Sequence, residues 1–430
     1  MIKNNLVLLI SLFITLISCS EKRSISITDI AQLAPGWHGT VISEVDQSYA
    51  GWDVEIGDAD NDGLNEILTT GCPDSRLYLY KKINEKWQTH LLSENLAQNF
   101  PGMGLVVKVA DLNQDHKNEI ILGTGQEAGD TARFYLFETD GLKITKKMLS
   151  KPEINTSSFT HEFGVYDIDG DGIKEVISAY CGNGEIIRYD LDRSLSIIKA
   201  DKLYQLSGSG EASVIADVDN DGRMEYITSN SFRSAKARVE IFEFDDQGSL
   251  VIPPRMVIDG FDGNKCFYAS IIVGDVNNNG KNELIIGWKQ HQEVNKATIL
   301  AYHIDDNQRP VYTFAYEDED LDMAYFEKMM EVADADNDGQ NELIISTRGD
   351  NQSERISSKH LGHVFMYKID GEGKVNKTLL VDFNEAKAES SWLAVGDADN
   401  DGKNEIILAT GKGDRTKPGT SYVVLVKKEE

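Results

Sequence analysis

One acidic frame of nine residues, repeated seven times, constrains this chain more than any other feature. Asp58, Asp60, Asp62 and Gly63 are followed by Glu66. The same spacing returns at Asp167, Asp169, Asp171, Gly172 and Glu175, and at Asp217, Asp219, Asp221, Gly222 and Glu225. It returns again at Asp334, Asp336, Asp338, Gly339 and Glu342, and at Asp397, Asp399, Asp401, Gly402 and Glu405. Two copies are altered: Asp111, Asn113, Asp115, His116 and Glu119, and Asp275, Asn277, Asn279, Gly280 and Glu283. The first aspartates stand 50 to 63 residues apart. A period of that length marks a repeat architecture, in which each unit buries its apolar face against the next.

The residue types explain the spacing. Calcium is a hard cation that takes six to eight oxygens, and carboxylates at alternate positions of a tight loop converge on one point. Glycine at the sixth position permits the positive φ of the turn. The frames therefore predict calcium loops, five with full acidity and two weaker ones at Asp111 and Asp275. They hold 25 carboxylates, four in each intact frame and three and two in the altered pair, against a net charge of −28 for the chain. Unless cations are bound, carboxylates so close together repel one another. Each loop is preceded by Ile or Val two residues ahead (Ile56, Val109, Val165, Ile215, Val273, Val332, Val395) and followed by runs such as Glu66-Ile67-Leu68 and Glu405-Ile406-Ile407. These are short strands, not the helices that flank an EF-hand.

Each repeat has room for four strands: one before the loop, one after it, a third as in Leu77-Tyr78-Leu79-Tyr80, and a fourth as in Trp87 to Leu92. Seven four-stranded units describe an all-β, seven-bladed β-propeller. The last repeat lacks a fourth strand, and Trp37 to Ile42 matches Trp87 to Leu92, so an N-terminal strand is expected to close the ring. The expected organisation is a signal segment over 1–18, a tether over 19–36 and a single propeller over 37–430. At 430 residues with 40% apolar content, the chain has enough material for a core. Its acidity argues against nucleic acid or an anionic membrane surface as partner. Collagen, coiled-coil and multi-span membrane classes are excluded.

On these loops and strands the repeats resemble FG-GAP or VCBS repeats, the calcium-loop blades also found in the ligand-binding propeller of integrin α chains. The resemblance covers roughly residues 37 to 428. It implies a propeller and calcium, and leaves function open, since the family includes adhesins, carbohydrate-binding proteins, partners of toxins and some polysaccharide lyases. The family's Phe-Gly and Gly-Ala-Pro signatures are reduced here to small residues before the loops, as at Gly57, Ala110, Gly274 and Gly396.

The first 19 residues read Lys3, an apolar run from Leu6 to Ile17, then Ser18 and Cys19. That run is shorter than the roughly 20 residues needed to span a bilayer. It resembles a bacterial lipoprotein signal, which implies cleavage before Cys19 and acylation of that cysteine. A lipid tethers a chain without making it span. An outer-membrane lipoprotein, periplasmic or facing the cell surface, is the expectation. Cys72, Cys181 and Cys266 then remain, an odd number, and Cys72 and Cys181 lie at equivalent second-strand ends two blades apart, poorly placed to pair.

All seven acidic loops join first to second strands and so share one face. The opposite face carries longer connections, and those between the second and third strands of blades four to seven sum to +7. Arg233, Lys236, Arg238, Trp288, Lys289 and Arg348 are the candidate ligand-binding residues there. Basic groups recognise uronates, sulfates or acidic side chains. The leading expectation is an extracellular ligand, with polysaccharide first. One alternative is a lyase cleaving a uronate-containing glycan by β-elimination, with His161, Tyr180, Tyr268 and Arg238 as candidate catalytic groups. The other is a protein-binding adhesin or assembly partner.

Overall fold

The computed structural model describes residues 25–429 except 49–52, 73–74, 97–101, 127–131, 150–158, 231–235, 263–265, 291–296, 319–328, 348–361, 385–387, 389 and 412–418. Seven antiparallel sheets make up the described part, six of four strands and one of five. Blade one runs Val54–Gly57, Glu66–Thr70, Leu77–Ile83 and Lys86–Ser93, each strand paired to the one before it. The same order repeats through blades two to six, whose innermost strands are Gly102–Ala110, Gly164–Tyr166, Gly210–Ala216, Cys266–Gly274 and Met330–Ala333. Blade seven takes its three inner strands from Ser390–Gly396, Glu405–Gly411 and Gly419–Lys428, and its outermost from Trp37–Ser48. Trp37 stands opposite Lys428 in that pairing. Ala31–Leu33 adds a fifth strand to blade six, beside Val375–Phe383.

Burial is greatest in the second strands, falls toward the outermost ones and is only partial in inner strands such as Val54–Gly57. The second strands Glu66–Thr70 and Glu175–Ala179 are buried at every position. Such a strand sits between two neighbouring sheets, so its sequence is apolar on both sides rather than alternating. The outermost strand Lys86–Ser93 has no fully buried residue and mixes exposed with half-buried positions, as a strand at a sheet edge should. The apolar layers lie between blades: Leu68 and Leu79 of blade one meet Val107, Ile120, Leu122 and Phe137 of blade two. Each such side chain contributes about 1.5–3 kcal/mol on burial.

The small residues ahead of the loops set the spacing of the inner strands. A Cβ placed on Gly274 would lie 3.0 Å from the Val332 side chain of the next blade, and one on Gly57 would lie 3.3 Å from Val109. Neighbouring inner strands approach closely at these points because there is nothing between them. The loops therefore arrive side by side at one end of the ring.

Candidate metal centres

Two side chains build every loop before any ion is considered. The ninth-position glutamate turns inward and its Oε2 accepts the N–H of the loop's second residue. This bond recurs in all seven loops, at 2.8–3.1 Å, from Ala59 to Glu66 through Ala398 to Glu405. The first aspartate's Oδ2 accepts the sixth-position N–H in all seven as well, at 2.7–3.1 Å. Gly63 has φ +87°, and His116 adopts φ +67° in the corresponding slot of blade two. That explains how the altered loops keep their shape: the two backbone-capping carboxylates, Asp111 with Glu119 and Asp275 with Glu283, are intact.

Cross-strand neighbours then divide the loops. In blade one, Lys81 Nζ of the third strand donates to Asp60, to Asp62 at 2.7 Å and to Glu66 at 3.0 Å. In blade six, Lys368 stands among Asp336 at 2.9 Å, Asp338, and Glu342 at 3.1 Å. In blade seven, Lys427 meets Asp401 at 3.0 Å and Asp399 at 3.2 Å. Blade four uses Arg255, 2.7 Å from Asp219 and 3.3 Å from Glu243. Blade five fills the space with amides, Asn277 and Asn279 donating to Glu283 Oε1 at 2.9 and 3.2 Å. In blade two, Asn113 donates to the Arg193 carbonyl at 3.1 Å. Blade three differs: Arg188 pairs with Asp190 and donates to the carbonyls of Gln247 and Gly248, and among the described residues it makes no hydrogen bond or ion pair with a loop carboxylate.

The donor set of blade three fits calcium. Asp167, Asp169, Asp171 and Glu175 supply hard oxygens, and Asp167 Oδ1 is buried with no hydrogen-bond partner. Asp190, across the sheet, adds a further negative charge near Glu175. Burial, reinforced by Asp169 and Asp190 and opposed by the Ile168 N–H, pushes Glu175 up to about 7. Burial likewise raises Glu119, Glu225 and Glu405 to about 7. In blade one burial pulls Lys81 down, but hydrogen bonds to Asp60, Asp62 and Glu66 outweigh it and raise the amine above its ordinary value. Chemically, a lysine ammonium there does what a bound cation would do: it neutralises the carboxylates.

A profile for the FG-GAP-like repeat matches residues 167–228, the span from the blade-three loop into the second strand of blade four. The chain is a seven-bladed, all-β propeller that carries an FG-GAP-like repeat over those residues. Human integrin alpha-11 is 25% identical over 156 residues, which is 33% of this chain and 13% of the integrin. The chain thus matches only a small part of that relative's length. Among solved structures, the Dos1 propeller aligns with a TM-score of 0.45 at 12% identity, over 84% of this chain and 75% of that one. The Vibrio cholerae biofilm matrix protein Bap1 aligns with a TM-score of 0.40 at 11% identity, over 92% and 91%.

The propeller's acidic loops are also joined to one another, which the acidic pattern alone does not reveal. The fourth-position Asn61 accepts the Asn118 N–H at 2.6 Å, and its amide donates to the Asn118 carbonyl at 3.1 Å. Equivalent exchanges link Asn400 with Asn65, Asn220 with Asn282, Asn278 with Asn341, and Asn337 with Asn404. The fourth-position asparagines, Asn61, Asn220, Asn278, Asn337 and Asn400, take positive φ, which Asn tolerates better than most side chains. Blade three has Gly170 and Lys174 at these positions, and there the link to blade two is a backbone bond, Lys174 N–H to the Leu112 carbonyl at 2.7 Å. The signal was present in the sequence as Asn at positions four and eight of the frame.

The candidate ligand face is assembled only in part. Trp288 is 1% exposed and packs with Ile258 and Ile286, so it is core and not a stacking platform. Tyr180 is fully buried, shares a 2.8 Å hydrogen bond with Tyr189, and burial raises its phenol well above the ordinary value. It has neither the access nor the acidity of a proton abstractor. Lys236 and Arg238 lie on the third strand of blade four, and both face Asp259, at 2.7 and 3.7 Å. His161 stacks on Phe159 and stands 3.6 Å from Glu211. Cys19, Arg233 and Arg348 lie outside the described residues, as do the side chains of Tyr268 and Lys289.

Proposed function

We propose that this FG-GAP propeller is a calcium-stabilised ligand-binding protein of a bacterial envelope, held there by a lipid on Cys19, and that its ligand is an extracellular polysaccharide. What carries the reading is the division of the ring into two ends. At one end seven short, near-identical loops are fixed by paired carboxylates and asparagines. At the other, the connections between second and third strands differ widely in length, from 180–184 in blade three to 347–363 in blade six. Uniform loops serve the frame, while irregular ones on a rigid scaffold are where recognition residues collect. Calcium, when bound, supplies charge neutralisation at the uniform end, and the blade-three loop is the first to fill. The lysine-bridged loops of blades one, six and seven take the ion only when the amine leaves.

Recognition is favoured over elimination because Tyr180 is sealed in the core and Arg238 faces Asp259. Incubating the calcium-loaded chain with a panel of uronate-containing and neutral polysaccharides tests both. Retention on one or more glycans with flat ultraviolet absorbance supports a binder. A rise in absorbance from unsaturated product would make the protein a lyase. Indifference to every glycan would sink the polysaccharide reading in favour of a protein ligand. For the anchor, radiolabelled palmitate should enter the wild-type chain and fail to enter Cys19→Ala.

A further inference from the structure

Away from the acidic loops, blades three and four bring a histidine, a cysteine and a glutamate together. His161 and Glu211 each stand six residues ahead of the first aspartate of their own loop, Asp167 and Asp217, so the repeat places them side by side, Glu211 on the inner strand of blade four and His161 three residues ahead of that of blade three. Cys181 follows the second strand of blade three, and its N–H donates to the Phe159 carbonyl at 3.2 Å, which carries it beside His161. One ligand atom from each of the three lies within 4.8 Å of the others. His161 Nε2 and Glu211 Oε2 are 3.6 Å apart. Bond lengths of about 2.0–2.3 Å in a tetrahedral site put ligand atoms roughly 3.3–3.8 Å apart. The spacing therefore matches a shared ion better than a direct hydrogen bond, which would be shorter.

The surroundings hold the three groups in place. Ser209 Oγ donates to Glu211 Oε1 at 2.7 Å while accepting the Gly182 N–H at 2.8 Å, so one serine ties the glutamate to the turn after Cys181. Phe159 stacks on the imidazole with ring centroids 5.6 Å apart and planes 17° from parallel. Glu211 is 2% exposed and Cys181 7%. The donor set is unlike that of the loops. Nitrogen, sulfur and one carboxylate suit a borderline-soft ion such as zinc, where all-oxygen loops suit calcium. Three protein ligands leave a fourth position open, and sites of that kind hold water or an oxygen of a bound molecule.

We propose that His161, Cys181 and Glu211 form a zinc-class divalent metal site with one open coordination position, at the end of the ring opposite the calcium loops. The site does not depend on the ligand proposed above. Cobalt is the probe, added to the calcium-saturated chain so that the acidic loops are already filled. The expected result is one tightly bound equivalent with a thiolate-to-cobalt charge-transfer band, bleached by zinc and untouched by further calcium. The band should vanish in Cys181→Ser and persist in Cys72→Ser. Should Cys181→Ser fail to fold, the wild-type chain still decides: zinc must slow alkylation of Cys181 at least about tenfold in a peptide map. Absence of the band in wild type, its survival in folded Cys181→Ser, or alkylation indifferent to zinc would each overturn the proposal.

Discussion

On the calcium reading proposed above, a lysine and a metal ion would contend for the same carboxylates in three of the seven blades. The lysine stands at a single third-strand position, the one following the buried aromatic or aliphatic residue opposite the loop's exit. Lys81, Lys368 and Lys427 occupy it in blades one, six and seven, while blades two, three and four have Glu138, Asp190 and Glu243. Lys81→Met should free the blade-one carboxylates and add one calcium per chain in isothermal titration. Lys81→Met with unchanged stoichiometry would mean the lysine does not regulate access. Protons compete as well. Glu175 and Glu119 ordinarily titrate near 4.5, and burial, with help from neighbouring acids, raises each to about 7. The folded chain then binds protons more tightly than the unfolded one, so the metal-free protein is most stable below about pH 4.5 on this account. It loses that contribution as pH rises to about 7. Thermal melts in chelator should fall across that window, and melts in saturating calcium should fall less or rise.

Between loops, asparagine is the joining element. The Asn400–Asn65 exchange, with bonds of 2.7 and 3.0 Å, ties blade seven to blade one, where the ring's two ends meet. Asn400→Ala removes both and should cost about 1–3 kcal/mol. The urea midpoint would drop at unchanged m-value if the native state alone is affected. The acidic frames were legible because charge, glycine and β-branched neighbours recur in fixed register. The core was less so. In Glu66–Thr70 and its counterparts both faces are buried, so no alternation separates an inward Trp288 from an outward one, and the aromatic was assigned to a ligand surface it does not reach. His161 stands six residues ahead of its loop, and in the sequence only its side-chain chemistry marks it as a candidate. Glu211 shares that register six residues ahead of its loop, yet a carboxylate in an acidic chain draws no notice until its neighbour is known to be a histidine.

For the molecule as a whole, calcium should act as a stabiliser that is drawn upon in proportion to its concentration. Each strongly held ion adds about 1.4 kcal/mol per tenfold excess over its dissociation constant. Chelator should therefore lower the melting temperature and calcium restore it. A melting curve indifferent to chelator would exclude calcium from the loops altogether. The blades and their order followed from the repeat, because seven equal units of four strands admit few arrangements other than a ring. The recognition end did not, since its connections share no register from blade to blade and each must be read on its own.

The pairing of Trp37–Ser48 with Gly419–Lys428 also bears on time. Contacts between residue 37 and residue 428 carry nearly the longest loop this chain can close. Such non-local pairing slows folding, since chain entropy must be lost before the contact returns anything. Until Gly419–Lys428 is in place, the strand at 37–48 has no mate and blade seven presents a bare edge to any passing chain. Once the two have met, the same topology works in reverse. Opening the ring means stripping ten residue pairs from the outside of one blade while six others hold the ends together. The pairing that is late to form is thus also the one that must be broken for the ring to open at this seam.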